Sequence, residues 1–499
     1  MTRSLRPKVV VLGMMSKIPV SGVVWQTLHY LVGLDRLGID AYYVEAHART
    51  PSMLMTDASD DSSALAAGFV DKVLSRFGLG ERWAFQALHD DGRCFGMDAS
   101  QLSALYRDAA LIINLHGGTL PLPEHVATGR LVYLETDPVQ PQIELFDGDA
   151  TTADFLDQHA VHFTFAENLG SPTCTLPWSD RYDFLPTRQP VVLDWWDGGP
   201  TPPGDRFTTI ANWHQPWRTV RFGDRDLGWS KDAQYRPLLD LPSRSPARLE
   251  LALANCGEPD RLLLEGQGWH VRSAAALSDD LDAYREYIQG SRGEFSVAKE
   301  QNVVFRTGWF SDRSATYLAS GRPVIMQDTG FGEVLPTGSG LLAFSSVEEA
   351  FLTFTVILST LVLQGLSLPV LIKKLDMKED EGVAYEETRA RLQTSQAGLA
   401  RLEEIAKSET LPEEVVADLR EHLTNRTERF EARTQGSADA GYETRAAVYR
   451  RLRREVVDAE RRTVVSLRDQ SAISDELMQR LQRTLDLEEQ RLETEEDNF

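Results

Sequence analysis

The first 350 residues alternate short, continuous apolar runs with longer stretches whose apolar positions recur every three to four residues. Short runs bounded by turn residues predict buried strands and the periodic stretches predict amphipathic helices, so the pattern reads as βαβ units with parallel sheets. "KVVVLG" (8–13) is the first strand, "GVVWQTLHYLVGLDRLG" (22–38) a helix that stops at Gly38, and "IDAYYVEA" (39–46) the next strand. "LIINLH" (111–116), "LVYLET" (131–136) and "HFTFAE" (162–167) continue the series. After a stretch rich in Pro, Gly and Asp, a second series runs through "FTTIANW" (207–213), "RLELALAN" (248–255), "GWHVRS" (268–273), "GEFSVAK" (293–299), "PVIMQD" (323–328) and "GLLAF" (340–344). The expected fold class is α/β, with two Rossmann-like domains over 1–185 and 207–350 and a linker at 186–206. Ligands of such sheets bind outside the carboxyl ends of the strands.

The pattern then changes twice. Residues 351–372, "FLTFTVILSTLVLQGLSLPVLI", carry no charge and are followed at once by Lys373 and Lys374. About 20 mainly apolar residues suffice to cross a bilayer. Thr353, Thr355, Ser359, Thr360, Gln364 and Ser367 weaken the hydrophobicity of this run. Three placements stand open: a spanning helix, an interfacial hairpin at Gly365 and Pro369, or a helix packed on the preceding sheet. Residues 373–499 are strongly charged, with Leu and Val at helical steps, which predicts an all-α tail punctuated by Pro412 and "GSADAG" (436–441).

Composition narrows the functional classes. A formal net charge of -23 argues against nonspecific nucleic-acid binding, which needs a basic surface, but leaves nucleotide ligands open. Cys94, Cys174 and Cys256 form no CxxC pair, so neither a zinc site nor a disulfide framework is expected, and a cytoplasmic chain is. The apolar start is a strand rather than a signal peptide, since it is short and lacks a cleavage site. No metal-ligand spacing, Walker loop, GxSxG elbow or HExxH motif occurs.

Residues 293–344 carry the densest chemistry. A strand leads through Gly308 to "SDRS" (311–314), which caps the helix "ATYLASG", and "RPVIMQDTGFGE" returns as a strand and a glycine turn. Helix N-termini and glycine turns present free N–H groups that suit a diphosphate. Arg306, Ser311, Asp312, Arg313, Thr329, Gly330, Gly332 and Glu333 are the candidate donor-binding residues here, Glu333 for a ribose or sugar hydroxyl. Asn212 of "NWHQPW", after the second domain's first strand, joins them, and Lys231 of "GWSKDAQYR" is placed with Arg306 and Arg313 as a basic residue near a diphosphate. In the first domain, His116 of "LHGGT" and Asp137 of "YLETDP" stand at strand ends as candidate catalytic residues, His116 as general base. A loop histidine beside a Gly-Gly turn and helix-capping acids, Glu135 among them, fit the same positions.

Residues 293–344 resemble the donor-binding domain of GT-B fold glycosyltransferases. In that family an acidic residue precedes a helix ending A-x-G-x-P-V, and a G-x-x-E turn leads to G-x-G-L-L. Asp312, Ala319, Gly321, Pro323, Val324, Gly330, Glu333, Gly338, Gly340, Leu341 and Leu342 match. The resemblance is specific over 306–342 and architectural over about 1–350. It implies transfer of a sugar from a nucleotide-diphosphate sugar to an unknown acceptor, with no permanently bound cofactor and no metal. Ser320 stands where many retaining members carry a second Glu, which leaves the retaining or inverting course open.

From about 351 to the end, with "RLEEIAKSETLPEEVVADLREHL" in the tail, the chain resembles the last transmembrane helix and cytoplasmic region of bacterial Na+/H+ antiporters of the monovalent cation:proton antiporter-1 family. That family's ion-binding aspartates lie on earlier helices, so the resemblance implies no ion transport. Together the two resemblances imply a fusion near Ala350, with activity impaired by truncation of the second domain. The alternative is a non-catalytic, membrane-associated chimera carrying an antiporter tail. The expected partners are a nucleotide sugar, its acceptor, the inner membrane through 351–372, and further copies of the helical 373–499 region, without nucleic acid.

Overall fold

The computed structural model describes residues 6–198, 203–216, 218–355, 381–408 and 412–434, and singly 456, 459, 460, 463, 464, 467 and 477. The chain divides into two compact units, Met1–Leu366 and Ser367–Phe499.

The first unit contains two large sheets. One is built from β1 (Lys8–Leu12), β2 (Asp40–Glu45), β3 (Trp83–Gln86), β4 (Cys94–Phe95), β5 (Leu111–Leu115), β6 (Leu131–Glu135), β7 (Val161–Thr164) and β8 (Phe184–Pro186). Its order is β4-β3-β2-β1-β5-β6-β7-β8, parallel except where β4 turns back on β3. Then come β9 (Arg206–Asn212), a hairpin of β10 (Thr219–Phe222) and β11 (Arg225–Gly228), β12 (Arg248–Ala254), β13 (His270–Ser273), β14 (Gly293–Ser296), β15 (Val324–Gln327) and β16 (Leu341–Phe344). The second sheet, β13-β12-β9-β14-β15-β16, is parallel throughout. In both sheets the first strand is central, and the strand order reverses beside it, at β1/β5 and at β9/β14. Such switch points open a crevice at the carboxyl ends of the strands.

The apolar runs become strands because both of their faces are covered: Val10, Val11 and Leu12 have no exposed surface. The helix Ser21–Arg36 buries Val24, Trp25, Leu28 and Leu31 along one stripe, and Gly38, at φ 81°, ends it by turning left-handed. The part of the stretch between the halves that holds Asp194 and Trp196 is docked on the first half. Trp196 is fully buried, its ring centroid 5.3 Å from Trp25, and Asp194 pairs with Arg36. The halves also meet where Trp25 Nε1 donates to Leu281 O at 3.1 Å.

Packing of the second half runs past Ala350. Residues 347–355 are helical, and Phe354 is buried against Phe207 and Phe295, with centroids at 5.1 and 5.3 Å. The start of the apolar run is thus core of the second sheet, while 356–372 lies outside the described residues, and with it the spanning placement expected from the sequence. Among the described residues no helix is long and apolar enough to cross a membrane. In the second unit, the helices Glu381–Ser408 and Glu413–Thr434 form an antiparallel pair joined by Ser395–Thr427, Gln396–Glu431 and Glu403–Arg420.

Candidate functional site

Loops at the carboxyl ends of β5 and β6 meet loops that follow β9, β11 and β14. His116 follows β5 at φ 63°, a left-handed conformation that strains a non-glycine residue. Its Nδ1 lies 2.7 Å from Thr136 Oγ1, and its buried Nε2 has no hydrogen-bond partner among the described residues. Burial lowers the imidazole to about 4, against the opposing charge of Asp137, so the ring is neutral at pH 7.

Asp137 sits just beyond β6. Its Oδ2 accepts from Lys299 Nζ at 2.7 Å and Trp229 Nε1 at 2.8 Å, with Arg218 Nη1 at 3.3 Å. Burial pushes its carboxyl up, but Lys299 and Arg218 more than offset this and hold it below the ordinary range. Val139, two residues on, takes φ 98°, strained for a β-branched side chain, and its N–H is held by Gln142 Oε1 at 2.8 Å. Trp309 of the second half donates to Thr136 O at 3.0 Å, which fixes this corner from the other side.

Lys231 follows the hairpin and is 8% exposed. Its ammonium makes no ion pair or side-chain hydrogen bond among the described residues, and it sits among Arg313, Glu294, Lys299 and Asp312. Burial, with Arg313 and Lys299 beside it, lowers the amine well below its usual range, against Glu294 and Asp312. Burial of an amine without a paired carboxylate disfavours its charged form.

The remaining residues singled out in the sequence divide. Arg313 is turned inward: it donates to Glu294 Oε1 at 2.6 Å, Ile210 O at 2.6 Å and Ser296 Oγ at 2.8 Å. Asp312 lies beside Arg313 and Glu294, its carboxyl raised by burial against the pull of Arg313. Ser311 is buried, with its carbonyl bonded to Gln189, and Asn212 Oδ1 accepts from Asn255 at 2.9 Å. Arg306, Thr329, Gly330, Gly332 and Glu333 form a separate group. Arg306 pairs with Asp328 at 2.9 Å and Glu333 at 3.4 Å, and Glu333 also accepts from Thr173 at 2.6 Å. Gly330 N–H is engaged by Asp328 Oδ1, Thr329 Oγ1 by Trp309 O, and Gly332 is exposed in the turn Phe331–Glu333.

Asp137 is therefore brought together with Lys299, Arg218 and Trp229, which sequence reasoning did not single out, with His116 within reach of its charge and Lys231 within reach of that of Lys299. Lys299 carried a signal: it ends "GEFSVAK", directly beyond the strand at which the order of the second sheet reverses. Among the described residues no group of His, Cys, Asp or Glu is arranged to hold a metal ion.

No protein-family model matches the chain. Over 186 residues it is 31% identical to uncharacterized Na(+)/H(+) exchangers of Mycobacterium tuberculosis and Mycobacterium bovis, a match covering 37% of this chain and 33% of each exchanger. The chain thus spans about a third of the length of the curated relatives it matches. Among solved structures, an alpha-glucosyltransferase in complex with UDP overlays with a TM-score of 0.38 and 9% identity, covering 67% of this chain and 82% of that one. "Trehalose-6-phosphate from E. coli bound with UDP-2-fluoro glucose" overlays at 0.34 and 9%, covering 71% and 95%. At such scores overall likeness fixes neither fold nor function. The exchanger match agrees with the two-part reading of the sequence.

Proposed function

We propose that residues 1–355 form a GT-B-like glycosyltransferase that moves a sugar from a nucleotide-diphosphate donor to a hydroxyl acceptor. The observation that carries this reading is Lys231, buried and without an ion pair among the described residues, near the charges of Lys299 and Arg313. A diphosphate supplies the missing negative charge. His116 Nε2 takes the proton of the acceptor hydroxyl as that oxygen bonds the anomeric carbon. The bond from that carbon to the diphosphate breaks, and its electron pair leaves on an oxygen stabilised by the lysines. The motif glycines and Glu333 act at the edge of the donor site, through the turn that positions them.

UDP and inorganic pyrophosphate are expected to raise the melting temperature and to protect residues 295–335 from hydrogen exchange, and Lys231→Met is expected to abolish both effects. If neither compound changes exchange or melting, the donor site is misassigned. The exchanger likeness favours a second reading: a non-catalytic, membrane-associated chimera that performs no ion transport. Recovery of the full chain in the soluble fraction without detergent would count against that one.

A further inference from the structure

Asp137 occupies the crevice in an unusual way for a carboxylate. One oxygen, Oδ2, accepts from Lys299 and Trp229 and pairs with Arg218, while the other, Oδ1, is buried and has no hydrogen-bond partner among the described residues. All three groups come from the second half of the unit and the carboxylate comes from the first. The donors also hold one another: the Arg218 guanidinium lies 4.1 Å from the Trp229 ring centroid and Lys299 Nζ lies 5.4 Å from it. Two N–H donors and a guanidinium, two of the three groups cationic, converge on one oxygen and make a pocket that suits a phosphate oxygen. The backbone that presents the carboxylate is strained at Val139 two residues away, φ 98°, so the position is held against a local cost.

We propose that Asp137 Oδ2 stands in the place of a donor phosphate oxygen in the ligand-free chain, so that this residue sets the affinity and charge selectivity of the site by direct competition. The inference rests on the reading of this crevice as a diphosphate site. A tethered carboxylate carries one charge at high local concentration. A singly charged ligand gains nothing over it, whereas a diphosphate brings several charges and also reaches Lys231. Displacement of Asp137 would release the contact it makes between the two halves.

The test is calorimetric binding of inorganic pyrophosphate to the full chain. Asp137→Asn is expected to tighten binding tenfold or more, Asp137→Ser to do likewise, and the gain to vanish in a Lys299→Met background. In the wild-type chain the indole N–H resonance of Trp229, assigned with Trp229→Phe, is expected to move as pyrophosphate binds. Binding that is equal or weaker in both Asp137 variants, or an unmoved Trp229 resonance, overturns the inference. If wild type binds and Lys231→Met does not while the Asp137 variants gain nothing, this inference falls and the diphosphate reading stands. If no variant binds pyrophosphate, both fall.

Discussion

His116 is held in a conformation it would not choose, with one nitrogen tied to Thr136 and the other buried and open. A structural histidine gains from satisfying both nitrogens, and this one leaves Nε2 without a partner among the described residues. His116→Gln is expected to lower sugar transfer by about a hundredfold or more, the scale of a lost general base, while pyrophosphate affinity stays within about twofold. Kinetics and calorimetry on one preparation check this, and an equal loss of both would make the residue structural. His116 and Asp137 were placed at strand ends in the sequence, and the structure puts them just beyond the fifth and sixth strands. Arg218 and Trp229 were not legible there, because their role depends on how a polar hairpin folds over the crevice, and no local pattern records that. Arg313 was legible as a cation, but its three inward hydrogen bonds depend on Glu294 and Ser296 facing it from a neighbouring strand.

Asn168, beyond the end of β7, reaches across to the second half and donates to Gly330 O at 2.9 Å, with Arg306 O at 3.3 Å. It fits only because two glycines flank it. A Cβ on Gly330 would lie 2.6 Å from Asn168 Nδ2, and one on Gly308 would lie 2.7 Å from Asn168 Cγ, both at positive φ. The motif glycine thus serves a clasp between the halves as well as a turn. Gly330→Ala is expected to destabilise the unit by about 2 kcal/mol or more, from left-handed backbone strain and the clash together. Asn168→Ala should cost about 1–3 kcal/mol through its lost hydrogen bonds, and the pair should be less than additive. Urea denaturation of the two single variants and the double measures this. At this scale the long strands of both sheets were readable, since burial on two faces leaves continuous apolar runs. The hairpin was not: "TVRF" and "RDLG" each turn one large apolar side chain, Val220 and Leu227, into the core. Such short, half-polar strands look like loop until Ile143 and Phe305 are seen packing there.

Over the whole molecule, the change of composition at 351 is not a change of packing, because Phe354 completes the core of the second sheet. The sequence shows where a different pattern begins but not where the fold ends, since one apolar side chain serves a sheet or a membrane equally well. The buried ionisable groups of the first unit give it an expected pH dependence. Burial lowers His29, His116, His125 and His159 each to about 4, whereas in the unfolded chain they titrate near 6.5. Between those values the unfolded chain binds protons that the folded chain refuses, so stability falls as pH falls, by up to about 1 kcal/mol per pH unit for each ring. Glu135 opposes this. Burial raises its carboxyl to about 7, against hydrogen bonds from Thr164 and Gln142, so from about 4.5 to 7 the folded chain keeps a proton that the unfolded chain has lost. Its contribution is therefore present at low pH and is lost as pH rises. Four imidazoles outweigh one carboxyl, and the urea midpoint is expected to drop between pH 7 and pH 5. Glu135→Gln removes the opposing group, so its effect relative to wild type should shift toward stabilisation as pH rises from 4.5 to 7.5. A midpoint that is flat between pH 7 and pH 5 would mean that these histidines are hydrated and titrate normally in the folded chain.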